Sequence, residues 1–350
     1  MLRFLNPSRS ASSLYAALAA LLLCLLAPAR PASALIVSTN QTISALNSPI
    51  NDNVYVVTSP TGSPTVNLVD GGTITGFLFV QDTSTLNVSG GNIEGFVETF
   101  DTSTVNLSGG TIGGNLLVQN SSTLNVSGGT IGGTLAAYDA STVNVSGGNI
   151  GGALFAYHTS TVNVSGGNIT RSLFAYHTST LNVSGGNIQS NLGAYDTSTV
   201  NLSGGTIAGD LGVIGPNARL NVFGTGLSLT NGVLSGTLAD GTPISERVYL
   251  LDGAQLSQIT LIEVDPFDVL REDVEALGTS GVLNAGNANA LLVKLDAAQT
   301  ALAAGDTAGA RDALTGFVNK VNALVRTGKL SAEQGAPLLE AARALLGGIG

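Results

Sequence analysis

A chain of 350 residues with 46 glycines, no tryptophan, 43% hydrophobic and only 10% charged residues is too apolar for intrinsic disorder and too glycine-rich for a helical bundle. Its net charge of −10 and pI near 4.5 exclude a protein that grips nucleic acid through a basic face, because displacing counterions from phosphates needs clustered lysine and arginine. Anionic membrane surfaces are excluded as partners on the same ground.

Arg3 and Arg9 precede an apolar run from Leu14 to Ala27, and Ala32-Ser33-Ala34 supplies the small residues of a signal-peptidase site, so residues 1–34 are expected to be a cleaved export signal. The run is about fourteen residues, short of the ~20 that cross a bilayer, and no membrane span is expected after cleavage. Cys24 leaves with the signal, and the leucines before it do not suit lipid modification. The remainder carries ten basic against 23 acidic residues, a net charge of −13. It has no cysteine, which removes disulfides, thiol catalysis and Cys-ligated zinc.

Residues 35–62 are expected to cap the N-terminal end of a repeat region. Asn87, Asn106, Asn125, Asn144, Asn163, Asn182 and Asn201 each stand before Val-Ser-Gly-Gly or Leu-Ser-Gly-Gly, 19 residues apart. Asn67 and Asn221 belong to degenerate end repeats with one inserted residue, which makes nine coils over residues 63–227. Within a coil the pattern alternates with period two: Val162 and Val164 face inward, Thr161, Asn163 and Ser165 outward. Gly166-Gly167 makes a corner, Ile169 returns to the core, and Leu173 and Ala175 begin another inward alternation. Three short strands and three corners close one coil. The fold class expected is mainly β, a parallel β-helix with the usual right-handed turn, about nine coils stacked at ~4.8 Å into a rod on the order of 40 Å long. Residues 228–264 are expected to form final strands that blunt the exposed sheet edge.

After Asp265 the composition turns to alanine and leucine at helical spacing, and residues 265–350 are expected to form a small helical bundle. Asp265 and Pro266 suit an N-cap and first helical position, opening a short helix to Leu277. Three longer stripes follow: Leu291, Leu292, Leu295 and Leu302; Leu314, Phe317, Val318, Val321 and Leu324; Leu338, Leu339, Ala342 and Leu345. Ser331 and Gln334 form a capping-box pattern before the last.

The rungs, SGGNIGGALFAYHTSTVNVSGG, and the closing LNVFGTG with SGTLADGTPIS resemble repeat regions of exported bacterial proteins of the PEP-CTERM type, although a Pro-Glu-Pro sorting tail does not occur here. The segment GFVNKVNALVRTGKLSAEQGAPLLEAARALL, from Gly316 to Leu346, resembles the FIMAH module of secreted bacterial proteins. Both resemblances imply export and a surface or extracellular role, and neither supplies a catalytic residue.

The Asn-Val-Ser and Asn-Leu-Ser triplets match glycosylation sequons, but their spacing suits a structural asparagine ladder. Asp82, Asp101, Asn120, Asp139, His158, His177 and Asp196 share one corner position. Asp82 over Asp101 offers oxygens to calcium and His158 over His177 offers nitrogens to a transition metal, yet both pairs lack further ligands, so no metal and no cofactor is expected. An enzyme acting on polysaccharide needs converging carboxylates; Glu94 and Glu98 fall on different segments, and no catalytic residue is assigned. A non-enzymatic extracellular scaffold or adhesin-like surface component is the leading expectation, with a carbohydrate-active enzyme as the alternative and an ice-binding surface as the second. The ligand-binding residues expected are Tyr138, Tyr157, Tyr176 and Tyr195 with Phe155 and Phe174, beside the polar array of Thr142, Asn144, Thr161 and Asn163. Their partner would be cell-wall or extracellular polysaccharide, with other surface proteins meeting the C-terminal helices.

Overall fold

The computed structural model describes residues 34–45, 47–58 and 62–349. The expected export signal therefore lies outside the described residues, apart from Ala34. The fold is mainly β: a parallel β-solenoid of about ten turns followed by four helices.

Consecutive coils pair in parallel with a strict 19-residue offset through the regular repeats, so that Thr142, Thr161 and Thr180 are register partners, as are Leu154, Leu173 and Leu192. One coil runs from the strand Thr161–Ile169, which bends at Gly166-Gly167, through the strand Leu173–Ala175. A corner at Tyr176 to Ser179 leads to the next rung. In earlier coils the bend splits the long strand in two, as in Thr104–Leu107 and Thr111–Ile112. Val162, Val164, Ile169, Leu173 and Ala175 are at most 1% exposed, as the alternation predicts. Each such valine, isoleucine or leucine stabilises by about 1.5–3 kcal/mol only because its neighbours above and below are also apolar, and one core consequently runs from Val37 to Ile244.

Three columns make the close stacking possible. A Cβ on Gly166 would lie 2.4 Å from the Ser146 carbonyl oxygen, and Gly167 sits at φ +82°, so both positions of the corner demand glycine. The corner serines, Ser84, Ser103, Ser122, Ser141, Ser160, Ser179 and Ser198, are fully buried. The hydroxyls of Ser84, Ser103, Ser160, Ser179 and Ser198 donate to main-chain carbonyls of the preceding coil, as Ser198 does to Ala175 at 3.0 Å, while Ser122 pairs with the Thr99 hydroxyl and the Gln119 carbonyl. The third column, from Asp82 to Asp196, holds seven non-glycine residues in the left-handed region at φ 55–59°.

Strands in the segment expected as a cap already belong to the ladder: Leu35–Val37 pairs in parallel with Val54–Val56, and Gln41–Ile43 with Thr65–Leu68. Leu35 and Ile36 are exposed at that end. At the other end Arg219–Thr230 folds antiparallel onto Val233–Leu238, which pairs antiparallel with Pro243–Leu251. Pro243–Leu251 and Ile259–Glu263 then return to the parallel ladder on Leu211–Ile214 and Arg219–Thr230. This excursion interrupts the repeating edge. Buried Gln258 completes it by donating to the carbonyls of Gly215 (3.0 Å) and Ala218 (2.6 Å).

The C-terminal unit has four helices: α1 (Pro266–Thr279), α2 (Ala285–Ala303), α3 (Thr307–Arg326) and α4 (Ala332–Gly348). Helix α1 is a full member rather than a short preface, because Phe267, Leu270 and Val274 form a buried stripe in the helical core. Asp265 caps it by accepting from Phe267 N, and Ser331 with Gln334 forms the expected capping box on α4. No helix among the described residues is long and apolar enough to cross a membrane.

Candidate functional site

The corner column is built as a ladder. The side chains of Asp101, Asn120, Asp139, His158, His177 and Asp196 each accept the backbone N–H of the same position one coil earlier, at 3.0–3.3 Å. This explains a column of Asp, Asn and His: each presents an acceptor close to the main chain and tolerates positive φ. His158 and His177 stack at 4.9 Å between ring centroids, and Asp139 lies 3.2 Å from His158 Nδ1. The nitrogens that metal chelation would use on this side already accept main-chain protons. No group of three or more His, Cys, Asp or Glu positioned to hold a metal occurs among the described residues.

A second ladder runs along the Thr-Val-Asn-Val face. Each asparagine from Asn87 to Asn221, Asn144 and Asn163 included, donates its amide to the Oδ1 of the asparagine one coil earlier, at 2.8–2.9 Å. One amide proton and part of the oxygen's acceptor capacity remain per residue. Thr142 and Thr161 flank this ladder and are half-buried.

The aromatic residues lie on a different face, the outer side of the short strands such as Leu154–Ala156. Polar array and aromatics, expected side by side, are thus separated by the left-handed corner. Tyr138, Tyr157, Tyr176 and Tyr195 form a continuous stack with centroids 4.9, 5.0 and 4.5 Å apart and interplanar angles of 12–21°. Because stacking follows the rungs, the ring faces of Tyr157 and Tyr176 are covered by one another and by their outer neighbours. Burial pushes the Tyr157 and Tyr176 phenols far above the usual range, and Tyr195 up to about 12. Tyr176 hydrogen-bonds Tyr195, which in turn bonds Tyr249. The column is a packing device with its edges turned outward.

Phe155 and Phe174 behave differently. Their centroids are 6.2 Å apart at 32°, and Phe174 meets Tyr195 edge-on at 5.4 Å. Beside them opens a shallow depression of about 660 Å³ whose lining includes Ala153, Phe155, Thr170, Arg171, Phe174 and Gln189. It exists because the preceding coils carry Gly132-Gly133 and Gly151-Gly152 at this corner, whereas the next carry Thr170-Arg171 and Gln189-Ser190. The glycines leave a floor and the larger pair a wall. Arg171, absent from the residues expected to bind, was legible as the place where the glycine pair is broken.

Glu94 is exposed at a corner and Glu98 is half-buried on the strand Val97–Thr99, between Phe79 and Leu117 in register. Burial raises the Glu98 carboxyl above its ordinary range, partly offset by a hydrogen bond from Gln119.

Residues 267–347 match the family model of the FIMAH domain. No curated protein and no solved structure matched the chain.

Proposed function

We propose that the chain is a non-enzymatic, exported, adhesin-like scaffold whose β-solenoid holds an aromatic outer face against extracellular or cell-wall polysaccharide. A β-solenoid joined to a FIMAH-domain match fits an adhesin-like surface protein. The observation that carries the reading is the parallel ladder through the regular repeats from Thr85 to Leu202, which sets equivalent positions directly over one another at every rung. A surface that repeats along a line suits a ligand that also repeats along a line, because weak contacts then add as avidity. The side chains of the corner and asparagine columns are largely engaged with one another, so the Phe155 and Phe174 region is favoured for contact.

Protease treatment of intact cells that produce the protein tests the location. The scaffold reading expects the chain in the medium, or cleaved from the surface while cytoplasmic proteins stay whole. Protection equal to that of cytoplasmic proteins would contradict it. Retention on insoluble polysaccharides, with no change in their chain length after incubation, tests binding without turnover.

A further inference from the structure

Arg171 is the only lysine or arginine between residues 35 and 218 of an otherwise acidic rod. It is exposed, and it makes no ion pair with any described residue. Thr170 fixes the local turn by donating its hydroxyl to Gly151 O at 2.6 Å, filling the space that glycines leave open in the three preceding coils. Arg171 then lines the depression with Phe155 and Phe174. Ser190, on the same wall, accepts from the Ser172 hydroxyl at 3.1 Å and keeps its own proton to donate. Gln189 donates to Asn168 at 3.0 Å and keeps its carbonyl oxygen as an acceptor.

A guanidinium presents a planar fork that pairs with a carboxylate through two parallel N–H donors. Aromatic rings not covered by their neighbours offer the apolar C–H face of a sugar ring a partner. A free donor and a free acceptor suit sugar hydroxyls. We propose that the depression bounded by Phe155, Arg171 and Phe174 binds a carboxylate-bearing sugar unit of an acidic polysaccharide. This rests on the polysaccharide reading above and narrows it to uronate-type chains. The charge is what makes the narrowing specific: between residues 35 and 218 the rod carries no other cation, so Arg171 is the one attractive point of that stretch for an acidic chain, and the contact weakens as salt screens it.

The test is electrophoretic retardation of the purified protein in native gels containing polygalacturonate, its methyl ester, dextran sulfate or dextran. The proposal expects retardation by polygalacturonate, weakened by salt and reduced about tenfold in Arg171→Gln with unchanged thermal unfolding, since one charge-assisted bidentate pair is removed from an exposed site. Phe155→Ala is expected to weaken retardation as well. Arg171→Lys should restore part of it, because charge returns without the fork. Equal retardation of Arg171→Gln and the unmodified protein would overturn the assignment. Equal retardation by the methyl ester or dextran overturns the carboxylate while leaving polysaccharide binding standing, and stronger retardation by dextran sulfate than by polygalacturonate overturns the uronate class. Absence of retardation by all four overturns this proposal and the reading it rests on.

Discussion

The Nδ1 atom of His177 accepts the backbone N–H of His158 at 3.3 Å, one coil away, while His177 itself sits in left-handed backbone at φ 58°. The side chain therefore answers two demands of the corner, an acceptor for the coil before it and tolerance of positive φ. Asp and Asn meet both demands at the equivalent positions. His177→Asn is expected to lie within about 0.5 kcal/mol of the native stability. His177→Val loses the acceptor and places a β-branched residue at positive φ, costing about 2 kcal/mol or more. Urea denaturation of the two variants checks the difference.

Asn144 bridges Asn125 and Asn163 in the buried-edge ladder, whereas Asn67 ends it. Asn144→Ala breaks two side-chain bonds and leaves both neighbours short, an expected loss of about 1–3 kcal/mol. Asn67→Ala breaks one and should cost less. Comparable losses for both variants would show that the ladder does not act as a chain.

Tyr157 and Tyr176 are packed by each other and by Tyr138 and Tyr195. The double change Tyr157→Ala and Tyr176→Ala is therefore expected to lower stability by several kcal/mol, on the scale of about 3–5 for a fully buried ring and less for these half-buried ones. Tyr157→Phe keeps the stack. The raised phenol pKa values carry a sign: above pH 10 the unfolded chain ionises these tyrosines and the folded chain does not, so stability is present below the ordinary range and falls as pH rises. Alkaline unfolding scans of the native protein and Tyr157→Phe/Tyr176→Phe check this, the variant being less sensitive.

Glu98 carries the same sign among carboxylates. Its raised value means that the folded protein resists the ionised form, a penalty absent below the unfolded value and present at neutral pH. Glu98→Gln keeps an acceptor for Gln119 and is expected to raise the denaturation midpoint at pH 7. The two proteins should converge as the carboxyl becomes protonated in acid. A midpoint difference independent of pH would assign the effect to packing instead.

The inward Val162, Val164, Ile169, Leu173 and Ala175 were legible because period-two alternation and the 19-residue repeat both point to them, and the asparagine ladder followed from identity at each rung. Other features obey rules that alternation does not encode. Ser160 turns inward although polar, because a short hydroxyl reaches a carbonyl of the preceding coil. The backbone hand of the Asp82-to-Asp196 column depends on hydrogen bonds between coils. Whether Tyr157 offers its face or its edge is set by side-chain rotation, and two tyrosines one rung apart cover each other. The Leu35-to-Val56 coil escaped the repeat pattern because it shares the core alternation without the Asn-Val-Ser-Gly-Gly string.

The central claim is that residues 19 apart stack directly over one another along a single rod. Thr85, Thr142, Thr180 and Thr199 lie in one register column, three, five and six coils apart when counted from Thr85. Spin labels on cysteines at Thr85 and each of the others, with Cys24 replaced by serine, report these separations by pulsed electron paramagnetic resonance. At ~4.8 Å per coil the account predicts mean distances rising linearly through about 14, 24 and 29 Å. Distances that fail to rise with the number of intervening coils would contradict it.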